Sequence, residues 1–210
     1  DTSINSLALT AHNDQILIGS YGAGLHELMP NKSILPKNIN QGFSARGKII
    51  TDLYSHKNDV YIATFDGLWQ YSVNKKQLTR VNFPNNNKLL LDLSFKDNQL
   101  YLASDASGVY IFDLTSKTIV KHLADNHLRS NEAINSLPLA DDIVWIATPA
   151  GIDIVNARNN VSQKVKSLGE NKVISLLAHN NKVFVATKGD GFFVYNLSGE
   201  LLAHFAKNII

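Results

Sequence analysis

The chain has no cysteine among its 210 residues. A disulfide framework and a thiolate metal site are therefore excluded. Arginine is scarce: Arg46, Arg80, Arg129 and Arg158 are the only four, and they are scattered. With 20 basic and 18 acidic residues the formal net charge is +2, so nothing points to a concentrated basic face for nucleic acid. No apolar run approaches the ~20 residues that span a bilayer. The single methionine is Met29. Asp1 is accordingly not read as a translation start, and the chain is expected to be processed or cut from something longer. What is present is 44% hydrophobic and 18% charged, an ordinary globular composition with enough length for one large all-β domain.

Five segments align with one another: INSLALTAHNDQILIGSYGAGLHEL, IITDLYSHKNDVYIATFDGLWQYS, LLLDLSFKDNQLYLASDASGVYIFDL, AINSLPLADDIVWIATPAGIDIV and KVISLLAHNNKVFVATKGDGFFVYNL. Each opens on a strand with a signature such as ITDL or INSL. A polar turn follows, at Asn13-Asp14, Asn58-Asp59, Asp97-Asn98, Asp141-Asp142 and Asn180-Asn181. Such residues tolerate the left-handed conformations of a tight hairpin. The second strand places a small residue at Gly19, Ala63, Ala103, Ala147 and Ala186, spaced by 44, 40, 44 and 39 residues. A glycine then opens a third strand, at Gly24, Gly67, Gly108, Gly151 and Gly191. A more polar fourth segment closes each unit.

The strands are rich in β-branched and aromatic residues. The second strands are apolar on both faces, so both faces must be covered. A blade flanked by two other blades satisfies that, and the small mid-strand residue lets neighbours approach closely. Four strands per repeat at this period predict the blades of a β-propeller. A stacked β-sandwich is the alternative for such apolar runs. The expected organisation is one all-β propeller domain or partial propeller over 1–210, with blades at 4–47, 48–88, 89–132, 133–171 and 172–210. The closing KNII (207–210) resembles GKII (47–50), the lead-in to the second repeat. Five repeats in phase are thus expected to be a fragment of a larger propeller. Its apolar ends would meet missing blades of the same protein or a second copy in a homodimer.

The repeat consensus resembles the two-component regulator propeller repeat. IITDL with VYIATFDGLWQY and INSL with VWIATPAGIDIV carry the resemblance, which covers essentially all of the chain. The hairpins depart from it: the family often has Asp-x-x-Gly there, and these turns have no glycine. The second-strand tryptophan survives only as Trp145. The resemblance implies a sensor, the periplasmic input domain of a bacterial membrane receptor in signal transduction. Outputs of such receptors are histidine kinases, diguanylate cyclases or DNA-binding regulators. Any such activity would lie outside this chain, which is itself expected not to be an enzyme.

Fold alone does not give function, so the residues must be searched for chemistry. No G-x-S-x-G nucleophile elbow occurs. His12, His56 and His179 fall at or near the first hairpin turns and are expected to be solvated turn residues. His122 and His127 are five apart, which is not a ligand spacing on a strand or helix. Glycosidase chemistry needs two facing carboxylates, and the glutamates are few: Glu27, Glu132, Glu170 and Glu200. Asp52 and Asp92 share a first-strand position that Ser6, Ser136 and Ser175 fill elsewhere. Two aspartates there could serve acid/base or calcium chemistry. The better reading is a short polar side chain bonded to a neighbouring blade's backbone. No catalytic residue, metal-ligand set or cofactor is expected.

Binding is expected where loops cluster on a rigid scaffold. The loops before the first strands and between second and third strands share one side of a propeller. The longest, 36–48 and 125–133, carry Phe43 and Arg46, and His127 and Arg129. The shorter ones add Tyr21, Phe65, Asp66, Asp105, Lys188 and Asp190. An aromatic beside an arginine suits a small anionic or sugar-like molecule, or a peptide. Two functions remain: a ligand-binding input domain, and a protein-interaction scaffold. A propeller-type glycoside hydrolase or lyase is a distant third.

Overall fold

The computed structural model contains five four-stranded antiparallel sheets that follow one another along the chain. It describes residues 5–29, 31, 33–36, 38–83, 88–165, 168 and 172–206. The segment 207–210, compared with 47–50 above, lies outside the described residues. Sheet 1 holds β1 (Ser6–His12), β2 (Gln15–Ser20), β3 (Gly24–Leu28) and β4 (Ile34–Pro36). Sheet 2 holds β5 (Ile50–His56), β6 (Asp59–Thr64), β7 (Gly67–Ser72) and β8 (Gln77–Arg80). Sheet 3 holds β9 (Leu90–Lys96), β10 (Gln99–Ser104), β11 (Gly108–Asp113) and β12 (Thr118–Leu123). Sheet 4 holds β13 (Asn135–Pro138), β14 (Ile143–Thr148), β15 (Gly151–Asn156) and β16 (Ser162–Lys164). Sheet 5 holds β17 (Val173–His179), β18 (Lys182–Thr187), β19 (Phe192–Asn196) and β20 (Leu201–Phe205).

Within every sheet the strands lie side by side in chain order. That meander is the blade of a β-propeller, and five separate meanders set aside a sandwich of two mixed-order sheets. The chain divides into two compact units, Asp1–Leu93 and Ser94–Ile210, with the division inside β9. Short 3-10 turns at Asn38–Gly42 and Asp125–His127 precede β5 and β13.

The hairpins differ in detail from their sequence alignment. In sheet 2 the turn is Lys57-Asn58, with Lys57 at φ 54°, and Asp59 already opens β6. The first strands of sheets 1, 2 and 5 each carry a register shift, between Ser6 and Ala8, Ile50 and Asp52, and Val173 and Ser175. A bulge of this kind adds one residue to a strand. Sheet 4 pairs Asn135 through Pro138 without a shift. There the extra residue sits in the turn, which Leu139 N–H closes onto the Ile143 carbonyl at 2.6 Å. Two expected equivalences fail. Ala8, not Ser6, pairs with Gly19 as Asp52 pairs with Ala63. Asn135, not Ser136, pairs with the small residue Ala147.

Within each unit the core lies between successive sheets. In the first unit Leu17 and Leu25 of sheet 1 join Ile50, Leu53, Val60, Ile62 and Trp69 of sheet 2 in one buried cluster. A Cβ on Gly19 would stand 2.4 Å from Ile50 Cγ2, so glycine is what admits the next sheet there. In the second unit Trp145, Ala147, Ile152 and Ile154 of sheet 4 meet Val173, Leu176, Val183, Val185, Phe193 and Tyr195 of sheet 5. Truncating one of the large buried chains costs about 2–5 kcal/mol.

Candidate functional site

A device that sequence reading missed organises the loops between second and third strands. In sheet 2, Arg80 on β8 is paired with Trp69 on β7, and its guanidinium carbon lies 6.0 Å from the Trp69 ring centre. Its Nη2 donates to the Asp66 carbonyl at 2.9 Å. In sheet 3, His122 on β12 stacks on Tyr110 with ring centres 4.1 Å apart, and its Nε2 donates to the Ser107 carbonyl at 2.5 Å. In sheet 5, His204 on β20 stacks on Phe193 at 3.9 Å and its Nε2 donates to the Asp190 carbonyl at 2.9 Å. Each time a fourth-strand cation or imidazole lies over a third-strand aromatic and holds the turn. A side chain locked by stacking loses little further entropy when it makes that bond.

Sheet 4 solves the same problem differently. Asp153 takes the aromatic's place, pairing with Ile146 as Trp69 pairs with Ile62. Arg129, from the loop before β13, reaches in. Its Nε donates to Asp153 Oδ1 at 2.8 Å and its backbone N–H to Oδ2 at 2.8 Å. Its Nη2 donates to the Ile152 carbonyl. Asp153 is 1% exposed, and this charge is buried with its bonds made.

These interactions decide where the expected ligand residues stand. Phe43 is a correction: it is buried, edge-on to Trp69 with ring centres 5.2 Å apart, inside the first unit's core. Asp66 is buried too, accepting from Ser44 Oγ at 2.6 Å and from Arg80 Nη2 at 2.7 Å. Arg129 is taken up by Asp153, and Asp190 lies 3.5 Å from His204 Nε2 through Oδ2. His127 ends its 3-10 turn half-buried. Asp105 and Lys188 stand exposed on the turns of sheets 3 and 5. Among the histidines, His12 is a second correction: it is buried, with Nδ1 2.7 Å from Ser55 Oγ of the next sheet, rather than solvated.

Two of the expected residues come together, and a third is linked to them through the backbone. Tyr21, 54% exposed, meets Phe65 edge to face at 6.1 Å. Both are tied to Ile49: Tyr21 pairs with it across an isolated bridge, and Phe65 N–H donates to its carbonyl at 3.1 Å. Ile49 N–H in turn donates to the Arg46 carbonyl at 3.1 Å, and the Arg46 side chain is exposed. The exposed Tyr21 and the half-buried Phe65 are therefore anchored by backbone bonds to two sheets of the first unit, and the Arg46 backbone is linked to them through Ile49. The pair offers a π face and an edge that suit stacking, and the exposed Arg46, three residues before Ile49, adds a cation on the same loop.

The second unit has a groove of about 260 Å³ lined by Gln99, Tyr101, Ile111, Lys121, Asp142 and Arg158 among others. It lies by the hairpin turns, away from the loops before β13. Burial, with the Asp142 and Asp97 charges, pushes the Tyr101 phenol up to about 12. Arg158 pairs with Asp142 at 2.8 Å. Asp52 behaves as its sequence position suggested. Its Oδ2 accepts from Leu93 N–H and its Oδ1 from Leu53 N–H, both at 2.8 Å. Burial raises its carboxyl above the usual range, and those two bonds oppose the rise. No helix among the described residues is long and apolar enough to cross a membrane.

No protein-family model and no curated protein sequence matches the chain. Solved structures do. The extracellular domain of the putative one component system BT4673 from B. thetaiotaomicron superposes with a TM-score of 0.75 at 19% identity, over 97% of this chain and 28% of that one. The extracellular domain of the putative hybrid two component system BT3049 from B. thetaiotaomicron gives 0.69 at 12% identity, over 100% of this chain and 36% of that one. The computationally designed Ika8 protein gives 0.73 at 16% identity, over 97% and 62%. The chain thus spans less than two thirds of the length of each. At these identities the likeness is one of fold, and the fold is that of a β-propeller.

Proposed function

We propose that this chain is the extracytoplasmic input domain of a bacterial signal-transduction receptor of the two-component regulator propeller type. It binds a small molecule, sugar or peptide and is not itself catalytic. The observation that carries the reading is the Tyr21–Phe65 pair, linked through the Ile49 backbone to the exposed Arg46 on a scaffold of hydrogen-bonded sheets. Two features support the wider assignment: the repeat signature, and a likeness in fold to extracellular domains of a putative one component and a putative hybrid two component system. The receptor sits in the inner membrane with this domain in the periplasm, and its kinase or cyclase lies beyond these residues.

The test is a thermal-shift screen with sugars, oligosaccharides and peptides. A ligand that binds the folded state raises Tm with its concentration. A scaffold that binds proteins is the second reading, favoured by apolar side chains exposed on sheets 1 and 5. Co-purification of a protein partner with no small ligand shifting Tm would select it.

A further inference from the structure

The groove between sheets 3 and 4 is built differently from the same place one sheet further along. Tyr101, Ile111 and Lys121 pair in a row across β10, β11 and β12 and form its sheet 3 side. Beside them β12 carries a register shift. Ile111 pairs with Lys121 and Phe112 with Ile119, which leaves Val120 as an extra residue. Consecutive side chains of a regular strand point to opposite faces. Here the bulge re-aims them, and Val120 and Lys121 both line the groove. Asp142 and Arg158, on turns of sheet 4, line the other side.

In sheet 4 the corresponding row is Trp145, Ile154 and Gln163, and β16 pairs without a shift. By strand register Asn181 and Ser198 of sheet 5 hold the places of Asp142 and Arg158. Gln163 Nε2 donates to the Ser198 carbonyl at 3.0 Å. A Cβ on Gly199 would stand 2.7 Å from Ile154 Cδ1, so that turn closes on the row. Between sheets 3 and 4 the equivalent bond, Lys121 Nζ to the Arg158 carbonyl, is 3.5 Å long, and about 260 Å³ stays open. The three charges at this groove are thus replaced by neutral groups in the next one. Arg158 Nε and Nη2 both meet Asp142 Oδ2 at 2.8 Å, which leaves Asp142 Oδ1 able to accept from another donor.

We propose that this groove binds a free α-amino acid with an apolar side chain. The carboxylate meets Lys121 and Arg158, the ammonium meets Asp142, and the side chain lies on Val120 and Ile111. Adjacent charges of both signs select a zwitterion. A simple carboxylate would meet the two cations but face Asp142, and a simple amine would meet Asp142 but face the cations. The space falls below the ~300–1,000 Å³ of pockets for drug-sized molecules, which suits an amino acid better than a peptide. The site lies wholly in the second unit and does not rest on the Tyr21–Phe65 surface.

Isothermal titration of the 210-residue chain with L-valine, L-leucine and L-methionine tests this. Saturable one-site binding is expected, with L-leucine among the binders. Isocaproate, which lacks the ammonium, and isoamylamine, which lacks the carboxylate, should each bind at least about tenfold more weakly, because a charge-assisted bond is lost. Asp142→Asn and Lys121→Met should weaken leucine binding by a similar factor. Both side chains are partly exposed, so unchanged circular dichroism should show that the variants fold. The Tyr21→Ala, Arg46→Ala double variant should bind leucine as the wild type does. Absence of saturable binding by all three amino acids overturns the proposal. So does isocaproate or isoamylamine binding as tightly as leucine, wild-type affinity in both groove variants, or loss of binding in the Tyr21, Arg46 double variant.

Discussion

At the residue scale, the decisive difference is between charges that are buried and charges that are merely paired. Arg129 and Arg158 each bond an aspartate at 2.8 Å. Asp153 is 1% exposed, whereas the Arg158 side chain is 82% exposed. Removing a buried partner strands the other charge and costs about 3–5 kcal/mol. Removing an exposed one costs about 0–1 kcal/mol. Arg129→Ala should therefore lower the urea midpoint sharply and Arg158→Ala barely; equal losses would contradict the account. Sequence separated these two arginines poorly. Asp153 was visible as an acid in the apolar run GIDIV, but only the fold brings a loop residue 24 positions upstream onto it. Phe43 was misread for a related reason: its loop folds inward over Trp69, and no local pattern announces that.

At the element scale, the turn between second and third strands is fixed by backbone geometry as well as by the stacked clamp. Gly108 and Gly191 have φ of 68° and 71°, and a Cβ there would lie 2.0 Å from the Leu123 carbonyl and 1.9 Å from that of Phe205. Gly22 also has positive φ, at 92°, but nothing lies within 4 Å of its Cβ position. Alanine at Gly22 should cost about 1 kcal/mol, the left-handed strain alone. Alanine at Gly108 or Gly191 adds a backbone clash and should cost at least about 2–3 kcal/mol, read from denaturant midpoints. The glycines were legible in the sequence as a recurring strand opener. The clamp was not, because Arg80, His122 and His204 share a position but not a chemistry.

The strand hairpins also set an alkaline limit. Burial first, then nearby Asp142 and Asp97, hold the Tyr101 phenol at about 12, and burial with Asp59 raises Tyr61 as well. An unfolded tyrosine ionises near ~10. Between those values the unfolded state binds fewer protons than the folded state, so stability falls as pH rises. It is undiminished below about 10 and lost progressively toward 12. Tyr101→Phe removes that group's share, so its stability should fall less over the window than the wild type's. An identical fall in both proteins would contradict the assignment.

At the scale of the whole molecule, repetition made the fold readable. Five copies of one hydrophobic pattern, each with its small residue and its glycine, specify five four-stranded sheets because each local choice repeats. Register was less readable. The bulge in β5 between Ile50 and Asp52 and the longer turn in sheet 4 give the same count of 14 positions from Ile50 to Thr64 and from Ile134 to Thr148. That degeneracy is why Ser136 seemed equivalent to Asp52. Of the loop residues named from the sequence, Tyr21 and Phe65 meet and Arg46 is linked to them through the Ile49 backbone, while Asp66 and Arg129 serve the fold.

The central claim is that this aromatic and cationic surface binds the input ligand. The direct measurement is the ligand-induced rise in Tm for wild type and for the Tyr21→Ala, Arg46→Ala double variant. Both side chains are exposed, so the unliganded Tm should hardly change. The account predicts a concentration-dependent rise in the wild type that the double variant loses. An equal rise in both proteins would place recognition elsewhere and contradict it.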